Sequence, residues 1–317
     1  MTRAAFGLDR IYRRGGRTAS TIRALVDESA ALDYDAIDAH LTNLLPAGRT
    51  CFAGVVPVTR PSGIALPGDF MQLVREAITA AGPATVALSG GLDSAVVLAI
   101  AREGGPGVRA LVLDPQLPGY SEREEALVTA RALGVEVEVV PVTAADILAA
   151  LPAAIDAFET PLYNLHPVSK WLLARAARER GIATLLSGDG ADHVFTRDGS
   201  NDYLPLVGAA FDAHGVTLRS PFLDPGVIAH VLSLPPDPGK QALRHMAARV
   251  GVPATLVNEP KMSRLAPPIP LDTVVPLPRL AALAALIGRQ LPAMNDDRAR
   301  VRWSTLALLI DASQRWR

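Results

Sequence analysis

The sequence predicts an α/β chain whose main part is a mostly parallel sheet with helices on both faces. Three observations carry that expectation. From about residue 69 onward, strand-like and helix-like runs alternate. Two strand-like runs end in a Ser-Gly turn that opens a helix and brings acids with it, at "SGGLDS" (Ser89–Ser94) and "SGDGAD" (Ser187–Asp192). Residues 1–68 lack the alternation and read as short helices and strands broken by Pro and Gly.

In order along the chain, "GLDRIYRRGG" turns at Gly15-Gly16 and reads as a hairpin edge. "TASTIRALVDE" (18–28) and "DYDAIDAHLTNLL" (33–45) space their apolar residues by three and four, which predicts two short helices. "RTCFAGVVPVTRPSGIALPG" (49–68) reads as interrupted strands, and its last part marks a boundary near residue 68. Then follow a helix (69–81), the strand "TVALS", a helix from Asp93 to Arg102, and the strand "VRALVLD". Next come the helix "SEREEALVTARAL", the strand "VEVEVVPV", and a helix (143–158) that persists through Pro152. A further helix (166–181) leads to the strand "IATLLS". Beyond about residue 219 the chain reads as helical, rich in proline and without a strand.

Composition narrows the function classes. Hydrophobic residues make up 49% and charged residues 20%, enough for a sizeable core. Net charge is −1 with no long Lys/Arg run, so no nucleic-acid surface is expected. A single cysteine, Cys51, excludes an intramolecular disulfide framework and a cysteine-rich zinc site. The opening residues have no apolar signal core and no run is long enough to span a bilayer, so a cytoplasmic protein is expected.

Ligands of such sheets bind beyond the carboxyl ends of the strands. That rule places Ser89–Ser94, Asp114 and Ser187–Asp192 on one rim. Glycines in the first turn allow positive φ and leave room for an anion, and the helix start offers free N–H groups and a positive dipole end. Ser89 and Ser94 add hydroxyls. Asp93 would repel bare phosphate but suits a Mg²⁺ held between it and the phosphate oxygens. The plainer alternative is a tight turn with Asp93 as a helix cap. Asp189 and Asp192 would share a helix face if the helix has begun there, a costly arrangement without a cation.

These stretches carry a resemblance. Ser-Gly-Gly-x-Asp-Ser after a first strand resembles the pyrophosphate-binding loop of the PP-loop ATP pyrophosphatases. "LLSGDGADHVF" resembles the second motif of asparagine synthetase C-terminal domains. "LRSPFLD", "GKQALRHMA" and "NEPKMS" resemble later segments of that family in the same order, so the likeness covers roughly residues 69–268. It implies a PP-loop synthetase domain (69–317) with a helical C-terminal part, binding ATP and Mg²⁺.

By position, the resemblance gives Ser89, Gly90, Gly91 and Ser94 to the β/γ-phosphates and Asp93 and Asp192 to Mg²⁺. It gives Leu88, Leu113, Ser187 and Gly188 to the adenosine. Asp189 stands where the family has its catalytic Glu, and Lys261 where it has a late lysine that stabilises the charged transition state. The sequence departs from the motif at His193, in place of Glu, and at "TRDG". His193 and His166 are read as structural or turn residues.

Residues 1–68 resemble the closing portion of the family's glutaminase domain, an α+β remnant without its front portion. Position 2 is Thr, and Cys51 has no partner that would activate a thiol, so no glutaminase activity is expected. The implied function is an AMP-forming amide ligase of specialised metabolism. Intramolecular cyclisation, as in β-lactam synthetases and lasso-peptide cyclases, is favoured over amidation with free or partner-supplied ammonia. The expected substrate is a small-molecule or peptide carboxylate with an amine, and a leader peptide or carrier protein is a compatible partner. A PP-loop enzyme acting on tRNA or a small base fits the charge less well, and a catalytically silent binding subunit is the reading from another class.

Overall fold

The computed structural model describes residues 10–42, 48–58, 69–82, 85–197, 203–258 and 268–316. The N-terminal segment forms an antiparallel sheet in the order β2-β1-β3, from β1 (Tyr12–Arg14), β2 (Arg17–Ala19) and β3 (Val56–Pro57). The hairpin turn falls where the sequence predicts it, with Gly15 at φ +57°. Helix α1 (Tyr34–Leu41) starts at Asp33, whose carboxylate accepts from the Ala36 N–H.

The helix expected over residues 18–28 does not form; residues 20–29 run as turns and irregular chain. Ile22, Leu25 and Val26 are buried all the same, so the spacing marks burial rather than helix. Side chains supply the hydrogen bonds a helix would have made. Arg14 donates to the Leu25 carbonyl at 3.1 Å and Arg17 to the Ala24 carbonyl at 2.7 Å, while Glu159 accepts from the Ile22 N–H.

The main part runs α2 (Phe70–Ala80), β4 (Thr85–Ala87), α3 (Leu92–Glu103), β5 (Arg109–Pro115), α4 (Arg123–Ala132) and β6 (Glu136–Val142). It continues with α5 (Ala144–Phe158), α6 (His166–Glu179), β7 (Thr184–Leu186), α7 (Ala191–Thr196), α8 (Tyr203–Asp212) and β8 (Thr217–Arg219). The helical part follows as α9 (Pro225–Ser233), α10 (Gln241–Arg249), α11 (Ala254–Asn258), α12 (Leu277–Leu286) and α13 (Asp297–Trp316). Strands β4 to β8 form one parallel sheet in the order β6-β5-β4-β7-β8. Its edge strand β8 goes beyond the sequence reading: three residues with only Leu218 buried give no period-two signal. Pro152 stays within α5 on its exposed side, and a Thr143–Asp146 capping box starts that helix.

Alternate strand residues feed two cores. Val86, Leu88, Ala110, Val112 and Leu186 pack with α2, α3, α4, α7, α9 and α10. Ala87, Leu111 and Leu185 face the other way, toward α5, α6, α8, α12 and α13. The second core also takes in Ile22, Leu25, Ile37 and Phe52, so the N-terminal segment shares its core with the back of the sheet. Arg10 closes the end of α5 by donating to the Ala157 and Phe158 carbonyls at 3.2 and 3.3 Å. Among the described residues no helix is long and apolar enough to cross a membrane.

Candidate active site

The sheet has its switch point between β4 and β7, where the chain first winds outward through β5 and β6 and then returns to the other side. Thr85 pairs with Leu185 and Val86 with Leu186, so the two Ser-Gly loops leave the sheet side by side. They touch. A Cβ on Gly188 would lie 2.6 Å from the Ser94 nitrogen and 2.7 Å from the Asp93 carbonyl carbon. A Cβ on Gly90 would lie 2.9 Å from Glu122 Cβ, at the start of α4. Close approach, rather than the positive φ expected from the sequence, explains these glycines: Gly91 has φ −98°, and neither Gly90 nor Gly188 is left-handed.

Within the first loop, Ser94 Oγ accepts from the Ser89 N–H, and the two hydroxyls lie 3.0 Å apart. Ser89 Oγ accepts from the Gly91 N–H at 3.2 Å. The Gly90 N–H donates to Glu122 Oε2 at 3.3 Å. Gly91 is the N-cap of α3 and no side chain caps that end, so Asp93 is not a cap. Its carboxylate faces a residue 147 positions away: Lys240 Nζ lies 2.7 Å from both Asp93 oxygens. The same ammonium lies 2.5 Å from Asp192 Oδ1. Lys240 immediately precedes α10, which packs on α3, and its backbone is left-handed at φ +50°.

The second loop separates its acids. Helix α7 begins at Ala191, so Asp189 precedes it and shares no helix face with Asp192. Asp189 turns instead to Lys170 on α6, with Nζ 2.7 Å from Oδ2. Its N–H donates to Ser187 Oγ at 3.4 Å, and its carbonyl accepts from the Ser220 hydroxyl. The Tyr203 phenol nearby is held well above its ordinary pKa by burial and by the charge of Asp189. His193 stacks on Tyr203, ring centroids 6.3 Å apart and planes 7° apart. The lysines reach the rim from opposite sides of the sheet, Lys240 beside the core under α3 and α10, Lys170 beside that of α6 and α8.

Ser89, Gly90, Gly91, Asp93, Ser94, Ser187, Gly188, Asp189 and Asp192 therefore come together on the rim. Leu88 and Ser187 are buried and their N–H groups donate to the Leu111 and Arg219 carbonyls, prolonging the ladders. Leu113 is half-buried against the opposite core. Asp114 accepts from the Ser121 hydroxyl at 2.6 Å. His166 is exposed at the start of α6. Lys261 lies outside the described residues. Cys51 is buried, and burial together with the charge of Asp33 pushes its thiol up to about 12, far from a thiolate nucleophile. Sequence reasoning assigned no role to Lys170 or Lys240. The available signal was electrostatic: acids gathered in two adjoining turns require cations.

The donor set can be tested against a metal ion. Asp93 and Asp192 come from two loops and converge on one point, which the Lys240 ammonium fills. Among the described residues no third His, Cys, Asp or Glu joins them. Two carboxylates with the remaining positions left to phosphate oxygens and water suit Mg²⁺, which is seldom caged by protein alone. The residues fit the ion.

Residues 69–211 match the family model described as asparagine synthase. Asparagine synthetase [glutamine-hydrolyzing] 1 of Bacillus subtilis (strain 168) is 31% identical over 108 residues, 34% of this chain and 17% of that protein. Putative glutamine-hydrolyzing asparagine synthetases of Mycobacterium bovis and Mycobacterium tuberculosis are 32% identical over 108 residues, 34% of this chain and 16% of theirs. The matched stretch thus spans about a sixth of the length of these curated relatives. The solved structure of NMN synthetase from Francisella tularensis aligns with TM-score 0.41 at 14% identity, over 78% of this chain and 94% of that one.

Proposed function

We propose that the protein is an ATP-dependent carbon–nitrogen ligase, a reading supported by the match of residues 69–211 to the asparagine synthase model. The observation that carries the reading is the pair of Ser-Gly loops side by side at the switch point, with Asp93 and Asp192 converging between them. In this reading the Ser89–Ser94 loop and the N-terminus of α3 hold the β- and γ-phosphates of ATP. Asp93 and Asp192 hold Mg²⁺, which when bound neutralises phosphate charge as pyrophosphate leaves. Lys240, beside both acids, turns to the phosphates. Leu88, Leu113, Ser187 and Gly188 border the adenosine.

The substrate carboxylate attacks the α-phosphorus, giving an acyl-adenylate and pyrophosphate. An amine then attacks the acyl carbon and AMP departs. Asp189, paired with Lys170 of α6, is the residue assigned to receive that amine. Lys261 would stabilise the negative oxygen formed in both steps. An intramolecular amine is favoured over ammonia, because Cys51, the one cysteine of the sequence, is buried and unsuited to release ammonia from glutamine. The test is incubation with ATP, Mg²⁺ and a panel of amine-bearing carboxylic acids. AMP and pyrophosphate in equal amounts are expected with one of them. ADP and phosphate, or no ATP binding at all, would overturn the reading.

A further inference from the structure

We infer that Lys240 is an internal cation that competes with the divalent metal for one position, so that the metal enters only together with a nucleotide. The inference rests on the ATP- and metal-binding reading of this site and adds an order of binding to it. Lys240 Nζ lies within 2.7 Å of both Asp93 oxygens and 2.5 Å of Asp192 Oδ1. An ion bound by these two carboxylates would have to stand where the ammonium stands. The pair is sheltered, the Lys240 side chain being 11% exposed and that of Asp93 21%, so solvent screens it weakly.

The backbone supports the assignment. Lys240 holds φ +50°, a region that suits glycine, immediately after Gly239 and ahead of α10. A side chain kept at a strained position on the rim, with its charged end on two acids, is a site residue. The neighbouring anion site is satisfied internally as well, because Glu122 accepts from the Gly90 N–H of the phosphate loop. The site thus supplies an ammonium in place of the metal and a carboxylate in place of a phosphate.

Displacing Lys240 by free metal would leave an ammonium without its partners in a sheltered place, which costs free energy. A nucleotide removes that cost, because its phosphates offer the ammonium new anions as the metal takes the acids. Metal affinity is therefore low without nucleotide and high with it, and by linkage the metal raises nucleotide affinity by the same factor.

The probe is Mn²⁺, titrated against the full chain and followed by the EPR signal of the free ion, without nucleotide and with α,β-methylene-ATP. Lys240→Met should bind Mn²⁺ at least about tenfold more tightly than the unaltered protein when nucleotide is absent. Lys240→Gly is a second variant that suits the left-handed backbone and should behave alike, which keeps the test open if Lys240→Met folds poorly. Adding Asp192→Asn to either variant should remove the gain, locating the ion on this pair. Unchanged or weaker Mn²⁺ binding in the folded variants would overturn the inference, as would Mn²⁺ binding in the unaltered protein that nucleotide does not tighten. If α,β-methylene-ATP fails to bind, the functional reading fails instead, and the nucleotide-free arm still decides the competition.

Discussion

Gly188 has no room for a methyl group, because the added carbon would overlap backbone atoms of Asp93 and Ser94 and backbone cannot swing aside. Gly188→Ala is therefore expected to push the two loops apart, weakening nucleotide binding by isothermal titration and lowering Tm by several degrees, on the order of an overpacked core. Gly91→Ala, whose Cβ would meet only Ser89 Oγ at 3.3 Å, should change both far less. At Asp189 the partner matters. Lys170→Met leaves a nearly buried carboxylate without its 2.7 Å cation, and a loss of about 1–3 kcal/mol in denaturant unfolding is expected after allowance for the part-exposed lysine. ATP binding should survive in that variant, while turnover with an amine-bearing acid should fall. The acids and glycines of both loops were legible in the sequence because each loop is a continuous run of chemically specific residues. Lys240 stood in the quoted segment "GKQALRHMA" without a role, because its contact with Asp93 spans 147 residues, and Lys170 gave no signal, because it meets Asp189 from α6.

At the scale of elements, the end of α5 shows how the N-terminal segment is attached. Glu159 ends the helix at φ +58°, is buried, and accepts from the Ile22 N–H while pairing with Arg23. Glu159→Ala removes the acceptor from a buried N–H, whereas the half-exposed Arg23 can rehydrate. A loss of about 1–3 kcal/mol is expected, read as a shifted denaturation midpoint with an unchanged slope. The same contact explains why residues 18–28 failed to become a helix. Their three-and-four spacing buries Ile22, Leu25 and Val26, but the nearby hairpin residues Arg14 and Arg17 and the distant Glu159 satisfy the backbone, and no helical spacing announces that. Strand β8 was illegible for a related reason. It is held by pairing with β7, Leu185 opposite Leu218, rather than by its own three residues. The longer strands and helices declared themselves because their alternation and spacing extend over many residues.

Across the whole molecule, one apolar cluster joins Ile22, Ile37 and Phe52 to Leu151, Phe158 and Leu309. Each such buried side chain contributes about 1.5–3 kcal/mol, too much for the N-terminal segment to separate from the sheet independently. A single cooperative calorimetric transition is expected, and two resolved transitions would count against the shared core. Acid should weaken this assembly through His40. Burial lowers its pKa from 6.5 to about 3, so between those values the unfolded chain binds a proton that the folded chain does not. Stability from this group is complete above pH 6.5 and is lost by about 1.4 kcal/mol per unit as pH falls toward 3. Replacement by Asn should flatten that part of the Tm–pH curve.

The central claim is that a substrate carboxylate attacks the α-phosphorus of ATP at the crevice between β4 and β7. It is tested most directly with an acid labelled with ¹⁸O in its carboxylate, turned over with Mg·ATP and followed by ³¹P NMR. The account predicts AMP carrying one ¹⁸O from the acid, pyrophosphate carrying none, and no reaction in Asp93→Ala. Unlabelled AMP, or ADP with labelled phosphate, would contradict it.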